Sequence, residues 1–515
     1  MATRTKSSIA AIKRRRTARL AKLLTRVYYL HRRKRYEEMS TLVCEEFVSF
    51  GGVYIKFLQG VMLQSAMVKQ WQNPDKMKIF ETVDIEPLDI SEILKHELGP
   101  AQLSQIALVQ PQPFAAGSFG QVYYGQLTNG QAIIIKVLRP MIRELLRYDL
   151  KLLSNFSKSF FARTYSMEAN INDVIREFRV ATLRETDYIA EAAFANELYE
   201  AYKDHPGLVI PKTYTDLCTD HIIVQDYVEG VSAAQLIKLQ EQGVDPKTYV
   251  HETLGSDLDQ QLFTLGYEML NGVFNLPRIQ GDPHPGNVRL MTGNRVGLID
   301  FGISATSPSN KSAFYGILKE WNRMYQGEQD VATLFEQFIR FFVSDLYWAL
   351  EKLATFNPDK LADNANFTKE VGKVAQEAFS RVAGTDDIRP MLENGKIMQI
   401  INKTVNQGNR FGFVVKIESS EILRASQTYL TLIETLGRRE TVLPSVFRHV
   451  VEQAAITHPE LLEPPTNTMG VNRAIEIVSN WLERVAVRDP KLFQELMGRI
   501  KLKTGRSKTK ERSHV

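Results

Sequence analysis

The 515-residue sequence predicts an α+β chain, with a small antiparallel sheet in its first half and helices dominating after Gly230. Three observations predict this. Residues 121–127 and 131–138 have strand length and strand composition, and the Asn129-Gly130 between them is a strong hairpin signal, because both residues accept φ > 0. A smaller hairpin reads at 288–291 and 295–299, around Thr292-Gly293-Asn294. Elsewhere apolar residues recur at helical spacing.

Taken in order, Leu20, Leu23, Leu24, Val27 and Leu30 share a helical stripe among Lys22, Arg26, Arg32 and Arg33. Such a basic amphipathic helix can dock on anionic lipid, serve as a transit peptide, or pack its leucines on the body; the sequence leaves all three open. The pattern stays helical from Tyr36 to about Leu98, with Asp89 or Ser91 placed to cap a short helix. After the first hairpin Pro140 stops the second strand, and a long helical segment spans about 141–203. Strands read again at 209–211 and 221–224. Helices then run to about Leu462, broken by the second hairpin. Residues 463–467 form a Pro-rich linker, and Ile475, Val478, Leu482 and Val485 make the stripe of a last helix.

With 44% hydrophobic and 24% charged residues the chain is neither collagen, low-complexity disorder nor a disulfide scaffold. Its length suggests roughly two to four domains. Cys44 and Cys218 belong to no CxxC pair, which predicts reduced thiols, no structural zinc and a cytosol-like redox setting. The net charge of +5 conceals polarity. Residues 1–36 hold 13 Lys or Arg and no acid, residues 499–515 hold seven against Glu511, and residues 37–498 therefore carry −14. Basic ends point to an anionic partner, a membrane surface or nucleic acid. Nucleic acid is not expected, since Tyr28, Tyr29 and Tyr36 alone hint at aromatic–basic interleaving. No run of about 20 apolar residues predicts a membrane span, and the N-terminus lacks the apolar segment of a secretory signal.

The chemistry lies in a series of motifs. Ala115, Ala116, Gly117, Ser118, Phe119 and Gly120 precede a strand; small residues there let backbone N–H groups approach a phosphate, or simply fill a tight turn. Lys136 interrupts an apolar strand, where it either reaches the α- and β-phosphates of a nucleotide or lies on an edge strand with one wet face. Two prolines and a glycine between Asp282 and Asn287 make a stiff loop that fixes both side chains. The second hairpin then returns the chain to Asp300-Phe301-Gly302, so Asn287 and Asp300 are expected near one edge, where an amide oxygen and a carboxylate suit Mg²⁺ bridging nucleotide phosphates. In this order the pieces outline the protein-kinase signature over about 105–320. They predict a two-lobed protein-kinase-like α+β fold, with a hinge at 225–230 where Asp226 and Val228 meet adenine.

Residues 113–122, 185–193 and 282–287 closely resemble the UbiB family of atypical kinases, also called AarF-domain kinases. The resemblance spans about 40–320. It implies an alanine-rich loop in place of the glycine-rich one, and an N-terminal KxGQ helix folded over the protein-substrate cleft, matched here by Lys56 and Gln59. It also implies an ExD pair, Glu185 and Asp187, and a glutamate, Glu191, that pairs with Lys136. On a continuous helix Asp187 and Glu191 would share a face and repel by a few tenths of a kcal/mol. Three departures stand out: Leu58 replaces the KxGQ glycine, Gly117 the third loop alanine, and Gln280 the histidine often found before the loop aspartate.

The function expected is an ATP- and Mg²⁺-dependent atypical kinase or ATPase. Lys136, held by Glu191, would orient phosphates, Asn287 and Asp300 would bind metal, and Asp282 would act as base or orient a nucleophile. The alternative is a nucleotide-binding regulatory pseudokinase without productive transfer. The resemblance implies a role in isoprenoid or quinone lipid metabolism, with a lipid or quinone-pathway ligand. The cysteine usage and the basic N-terminus point to a cytoplasmic location with peripheral attachment to an anionic membrane surface, organellar import being the other possibility. The expected domains are a basic segment (1–36), a KxGQ-type extension (37–104), an N-lobe carrying ExD (105–230), a helical C-lobe with the catalytic loop and Asp-Phe-Gly (231–462), and a linker, helix and basic tail (463–515).

Overall fold

In the computed structural model the described residues are 2–58, 87–117, 119–164, 175–176, 178–180, 182–328, 331–355, 416–463, 467–488, 490–491 and 493–494. The chain divides into two compact units. The first comprises Met1–Asp204, Ile210–Glu229 and Ile299–Ile303, the second His205–Val209, Gly230–Leu298 and Ser304–Val515.

The first unit opens with α1 (Ala2–Arg32), α2 (Tyr36–Phe50) and α3 (Val53–Phe57). Leu20, Leu23, Val27 and Leu30 of α1 are buried in one cluster with Met39 and Phe47 of α2 and Tyr54 and Phe57 of α3. Arg19 meets Glu46 of α2 at 2.6 Å, and Arg16 pairs with Asp149. The leucine stripe therefore packs on the body. Inserting the same face into lipid would strip that cover from Met39, Phe47, Tyr54 and Phe57, at on the order of 1.5–3 kcal/mol for each large side chain exposed, so docking on lipid through the leucines is corrected. Arg14, Arg15, Lys22, Arg26, Arg33 and Lys34 remain exposed on the outer face.

Helix α4 (Ile90–Glu97) is capped by Asp89, whose carboxylate accepts the Glu92 N–H at 3.0 Å, and a short α5 (Pro100–Leu103) follows. Next come β1 (Ile106–Val109), β2 (Ala115–Ala116), β3 (Gly120–Leu127) and β4 (Ala132–Leu138). After α6 (Ile142–Thr164) and α7 (Tyr188–Tyr202), β5 (Leu208–Val209) joins the second unit and β6 (Ile222–Asp226) returns to the first. The antiparallel sheet runs β1-β3-β4-β6, with β2 on β3. Alternation buries Tyr123, Ile133, Ile135 and Val137 against Ile90 and Leu94 of α4, leaving Lys136 on the opposite face. Because β4 is an interior strand, the wet-edge reading of Lys136 is corrected.

Two local expectations also change. At the β3–β4 turn Gly130 alone takes a positive φ, 88°, while the Asn129 side chain accepts the Gln131 N–H at 3.0 Å. The loop has three residues ending in a left-handed glycine, which makes no such demand on asparagine. The helix predicted over 141–203 is not continuous, because a turn at 185–186 precedes α7; residues 165–174 lie outside the described part.

In the second unit β7 (Val231–Ser232), β9 (Val288–Leu290) and β10 (Val296–Leu298) form a sheet in the order β5-β10-β9-β7, and β8 (Arg278–Gln280) pairs with β11 (Ser304–Thr306). The helices are α8 (Ala233–Glu241), α9 (Pro246–Leu254), α10 (Leu258–Asn275), α11 (Lys311–Tyr325), α12 (Val331–Phe342), α13 (Ser344–Thr355), α14 (Ile417–Thr435), α15 (Arg439–Thr457) and α16 (Val471–Arg488). Helix α16 buries Ala474 and Val485, but Ile475 is 49% exposed and leaves the predicted stripe.

Helix α10 is buried along Leu262, Leu265, Met269 and Val273. At Gly266 a Cβ would lie 2.1–2.7 Å from the ring and hydroxyl of Tyr429, which is buried and donates to the Leu262 carbonyl at 3.0 Å. Alanine raises helix propensity by about 1 kcal/mol, but overpacking costs about 1–3 kcal/mol or more. Gly266→Ala is therefore expected to melt about 2–8 °C lower; a variant that melts higher refutes the clash.

Candidate active site

Alternation along β4 sets Lys136 opposite Val122 of β3 and Ile223 of β6. Its Nζ lies 2.7 Å from Glu191 Oε1, the two side chains being 12% and 6% exposed. Helix α7 places Glu191 because Asp187 caps it, accepting the Ala190 N–H at 3.1 Å, so Glu191 falls one turn inside. Asp187 thus stands at the cap and is no helical neighbour of Glu191, and the expected like-charge repulsion along a continuous helix is corrected. The same helix holds the Asp-Phe-Gly segment. Glu191 accepts the Phe301 N–H, and the buried Phe301 ring meets Phe194 edge-on at 6.3 Å. Asp300 is fixed by the Gly302 N–H, 3.0 Å from its Oδ1.

The charges of this cluster are coupled. Burial alone would lower the Lys136 pKa, but Glu191 and Asp300 outweigh it and hold the ammonium well above its ordinary value. Burial, helped by Asp300, pushes Glu191 up against the pull of Lys136. For Asp300 burial pushes up, yet Lys136, the Gly302 N–H and Lys56 prevail and keep it below the usual carboxylate range. One ammonium facing two carboxylates leaves a negative charge with hard oxygen donors, a set that fits a divalent cation such as Mg²⁺.

The N-terminal motif residues reach the same unit. Lys56 pairs with Glu185 and lies 4.6 Å over the Phe119 ring. Leu58 is fully buried in the α1–α3 cluster, so the side chain replacing the family glycine fills space there. Gln59 and Ser118 lie outside the described residues. Ala115 and Ala116 form β2, opposite Val122 and Gln121, and the Gly117 N–H donates to the Gly120 carbonyl at 2.9 Å. A Cβ at Gly117 would meet nothing within 4 Å, whereas one at Gly120 would lie 2.7 Å from the Val137 carbonyl and 2.8 Å from the Tyr188 hydroxyl. In the hinge Asp226 accepts the Tyr214 hydroxyl at 2.8 Å and its N–H donates to Lys212, while the Val228 N–H has no partner among the described residues.

Asp282 and Asn287 belong to the second unit. The amide of buried Gln280 clasps Asp282 on both sides, donating to its carbonyl at 3.0 Å and accepting its N–H. That accounts for glutamine where the family often has histidine. Asn287 donates its amide to the Asp282 carbonyl at 3.2 Å. Its Oδ1 has no partner among the described residues and is the end available to a metal. The register pairing Val288 with Leu298 starts the hairpin just after Asn287 and ends it two residues before Asp300.

Residues 81–331 match the family model of the ABC1 atypical kinase-like domain. This chain carries an ABC1 atypical kinase-like domain. The ABC1 match contains the whole Lys136–Glu191–Asp300 cluster and the Asp282–Asn287 loop. The chain is 30% identical over 224 residues to Protein ACTIVITY OF BC1 COMPLEX KINASE 1, chloroplastic, of Arabidopsis thaliana, covering 42% of this chain and 31% of that protein. It is 25% identical over 266 residues to the probable protein kinase UbiB of Azotobacter vinelandii, covering 51% and 47%. It spans about a third to a half of the length of the curated relatives it matches. Among solved structures, a Mycobacterium tuberculosis protein in complex with erythromycin is similar at 23% identity and a TM-score of 0.38, over 56% of this chain and 79% of that one. The fold of the ABC1 domain is the kinase-like α+β class that the motifs predict. Among the described residues no helix is long and apolar enough to cross a membrane.

Four residues of the site were missed or read only in part. Val122 and Ile134 share the Lys136 face of the sheet, which period-2 alternation could have indicated. Gln280 was legible only as a departure. Tyr188, three residues before Glu191, lies at helical spacing from it and went unnoticed.

Proposed function

We propose that the chain is an ATP- and Mg²⁺-dependent atypical kinase or ATPase of the UbiB type. The observation that carries this reading is the buried 2.7 Å Lys136–Glu191 pair with Asp300 against it. A strand lysine locked by a helix glutamate orients phosphates, and phosphoryl transfer needs mainly such positioning and charge neutralisation. The segment from Ala115 to Gly120 covers the phosphates, and the Asp226–Val228 hinge offers backbone groups to the base. Asp282, held by Gln280, orients or deprotonates the nucleophile. Asp300 offers its carboxylate to the metal, which when bound neutralises charge developing on the phosphates. A role in isoprenoid or quinone lipid metabolism comes with the family resemblance. The exposed arginines and lysines of α1 support peripheral attachment to an anionic surface by charge, without leucine insertion.

The test is phosphate release from Mg·ATP, with and without phosphatidylglycerol vesicles, for the wild type and Asp282→Asn. Release by the wild type is expected to rise with vesicles and fall back at high salt. Asp282→Asn is expected to lose about 100-fold or more. A wild type that binds ATP and releases no phosphate under any condition leaves only a nucleotide-dependent regulatory module.

A further inference from the structure

Tyr188 is the first residue of α7, three positions before Glu191, so both side chains lie on one face of the helix. It is 7% exposed, within the cluster that joins α1, α2, α3 and α6 to the sheet. Its hydroxyl approaches β3 so closely that a Cβ on Gly120 would lie 2.8 Å from it. Gly120, Val122 and Tyr124 alternate onto the face of the sheet that carries Lys136. The hydroxyl therefore lies beneath the end of the alanine-rich turn, on the side where Lys136 faces Glu191 and Asp300. The charged groups around it are Glu191, Lys136, Asp300 and Arg143. Arg143 is anchored elsewhere, donating to the Thr186 carbonyl at 2.8 Å and to the Asp220 carbonyl at 2.7 Å.

Among the described residues this hydroxyl has no hydrogen-bond partner, and unlike those of Ser157 and Ser344 it is not sealed from solvent. The ring is buried while its polar end stays open to an acceptor that the polypeptide does not supply. Its position, under a turn of small residues and beside a lysine ammonium, suits an anionic oxygen.

We propose that the Tyr188 hydroxyl donates a hydrogen bond to a phosphate oxygen of the bound nucleotide, so that Tyr188 and Lys136 grip the phosphates from the same face of the sheet. This rests on the nucleotide reading above and adds a ligand to it. Burial, reinforced by Glu191 and Asp300, holds the phenol pKa well above its ordinary value, so the group keeps the proton it must donate. Gly120 then serves two contacts, because any side chain there would strike the hydroxyl as well as the β4 backbone.

Titration calorimetry on the full chain tests the proposal, with ATP, ADP and adenosine as ligands and Tyr188→Phe as the variant. A hydrogen bond to a charged group is worth about 1.5–3 kcal/mol, so Tyr188→Phe is expected to weaken ATP and ADP about 10- to 100-fold. Adenosine affinity and the melting temperature without nucleotide should stay as in the wild type. Affinity for ATP within about twofold of the wild type overturns the proposal, and so does an equal loss of adenosine, which marks a structural role. Should the variant melt lower, 3-fluorotyrosine at position 188 keeps the shape and the donor. Its fluorine resonance is expected to shift with ATP and not with adenosine; equal shifts overturn the proposal. A wild type that binds no ATP removes the nucleotide reading itself, a result distinct from either.

Discussion

Lys136→Met is expected to destabilise the nucleotide-free protein by about 3–5 kcal/mol, the cost of breaking a buried ion pair from one side. Both partners are buried and 2.7 Å apart, and Asp300 adds a second carboxylate to the same space. Removing the ammonium leaves two buried carboxylates facing each other. The deficit has a definite pH dependence. In the wild type the raised Lys136 pKa makes its contribution fully present below the unfolded lysine value of about 10.4; it is lost only as pH rises through the folded value, so it is constant from pH 6 to 9. Glu191 already has a raised pKa, and without Lys136 only the Phe301 N–H pulls it back. The folded variant then holds a proton that the unfolded chain releases above about pH 4.3, so its stability falls as pH rises. Urea titrations should show the larger deficit at pH 8 and a smaller one at pH 5. Adding Glu191→Gln should recover part of it. A deficit equal at both pH values, or no recovery in the double variant, would falsify the coupled-pair account.

Asp300→Asn is expected to reduce phosphate release by about 100- to 1000-fold, the range for losing one preorganised electrostatic contact, and to raise the Mg²⁺ concentration needed for half-maximal rate. The variant isolates charge from shape. Asparagine keeps an oxygen for the Gly302 N–H, so the turn at 300–302 persists, while the carboxylate facing Lys136 is lost. Adenosine binding should not change. The depressed Asp300 pKa stabilises the wild type above the unfolded aspartate value of about 3.9, and this contribution disappears as pH falls through the folded value. Asp300→Asn should therefore flatten the acid side of the stability curve. An unchanged Mg²⁺ dependence would remove Asp300 from the metal site.

Much of this site was legible in the residues. The β3–β4 hairpin, the Asp89 cap and the face on which Lys136 sits follow from turn chemistry, capping and period-2 alternation, all of which act over a few residues. The pairing of Lys136 with Glu191, 55 residues away, came from family resemblance, and the geometry agrees with it. The misreadings turned on where a helix starts and on what a side chain packs against. Asp187 and Glu191 are four apart, which suggested a shared face, but a turn places one at the cap and the other inside. Leu58 looked like a defect in a motif until its burial showed what it fills.

The α1 helix marks the boundary most clearly. Its stripe of leucines and its basic flanks are properties of the residues alone, since a period of 3.6 and the absence of acids are local facts. Where the stripe goes is not local. Its destination depends on Met39, Phe47, Tyr54 and Phe57, and on whether Asp149, more than 130 residues away, arrives beside Arg16. An apolar stripe has the same favourable transfer free energy into lipid as into a protein core, so the choice between them rests on whether the chain presents a complementary surface. Here it does. For the same reason the sequence could state that Lys136 needs a partner, while the fold determined that two carboxylates, Glu191 and Asp300, face it.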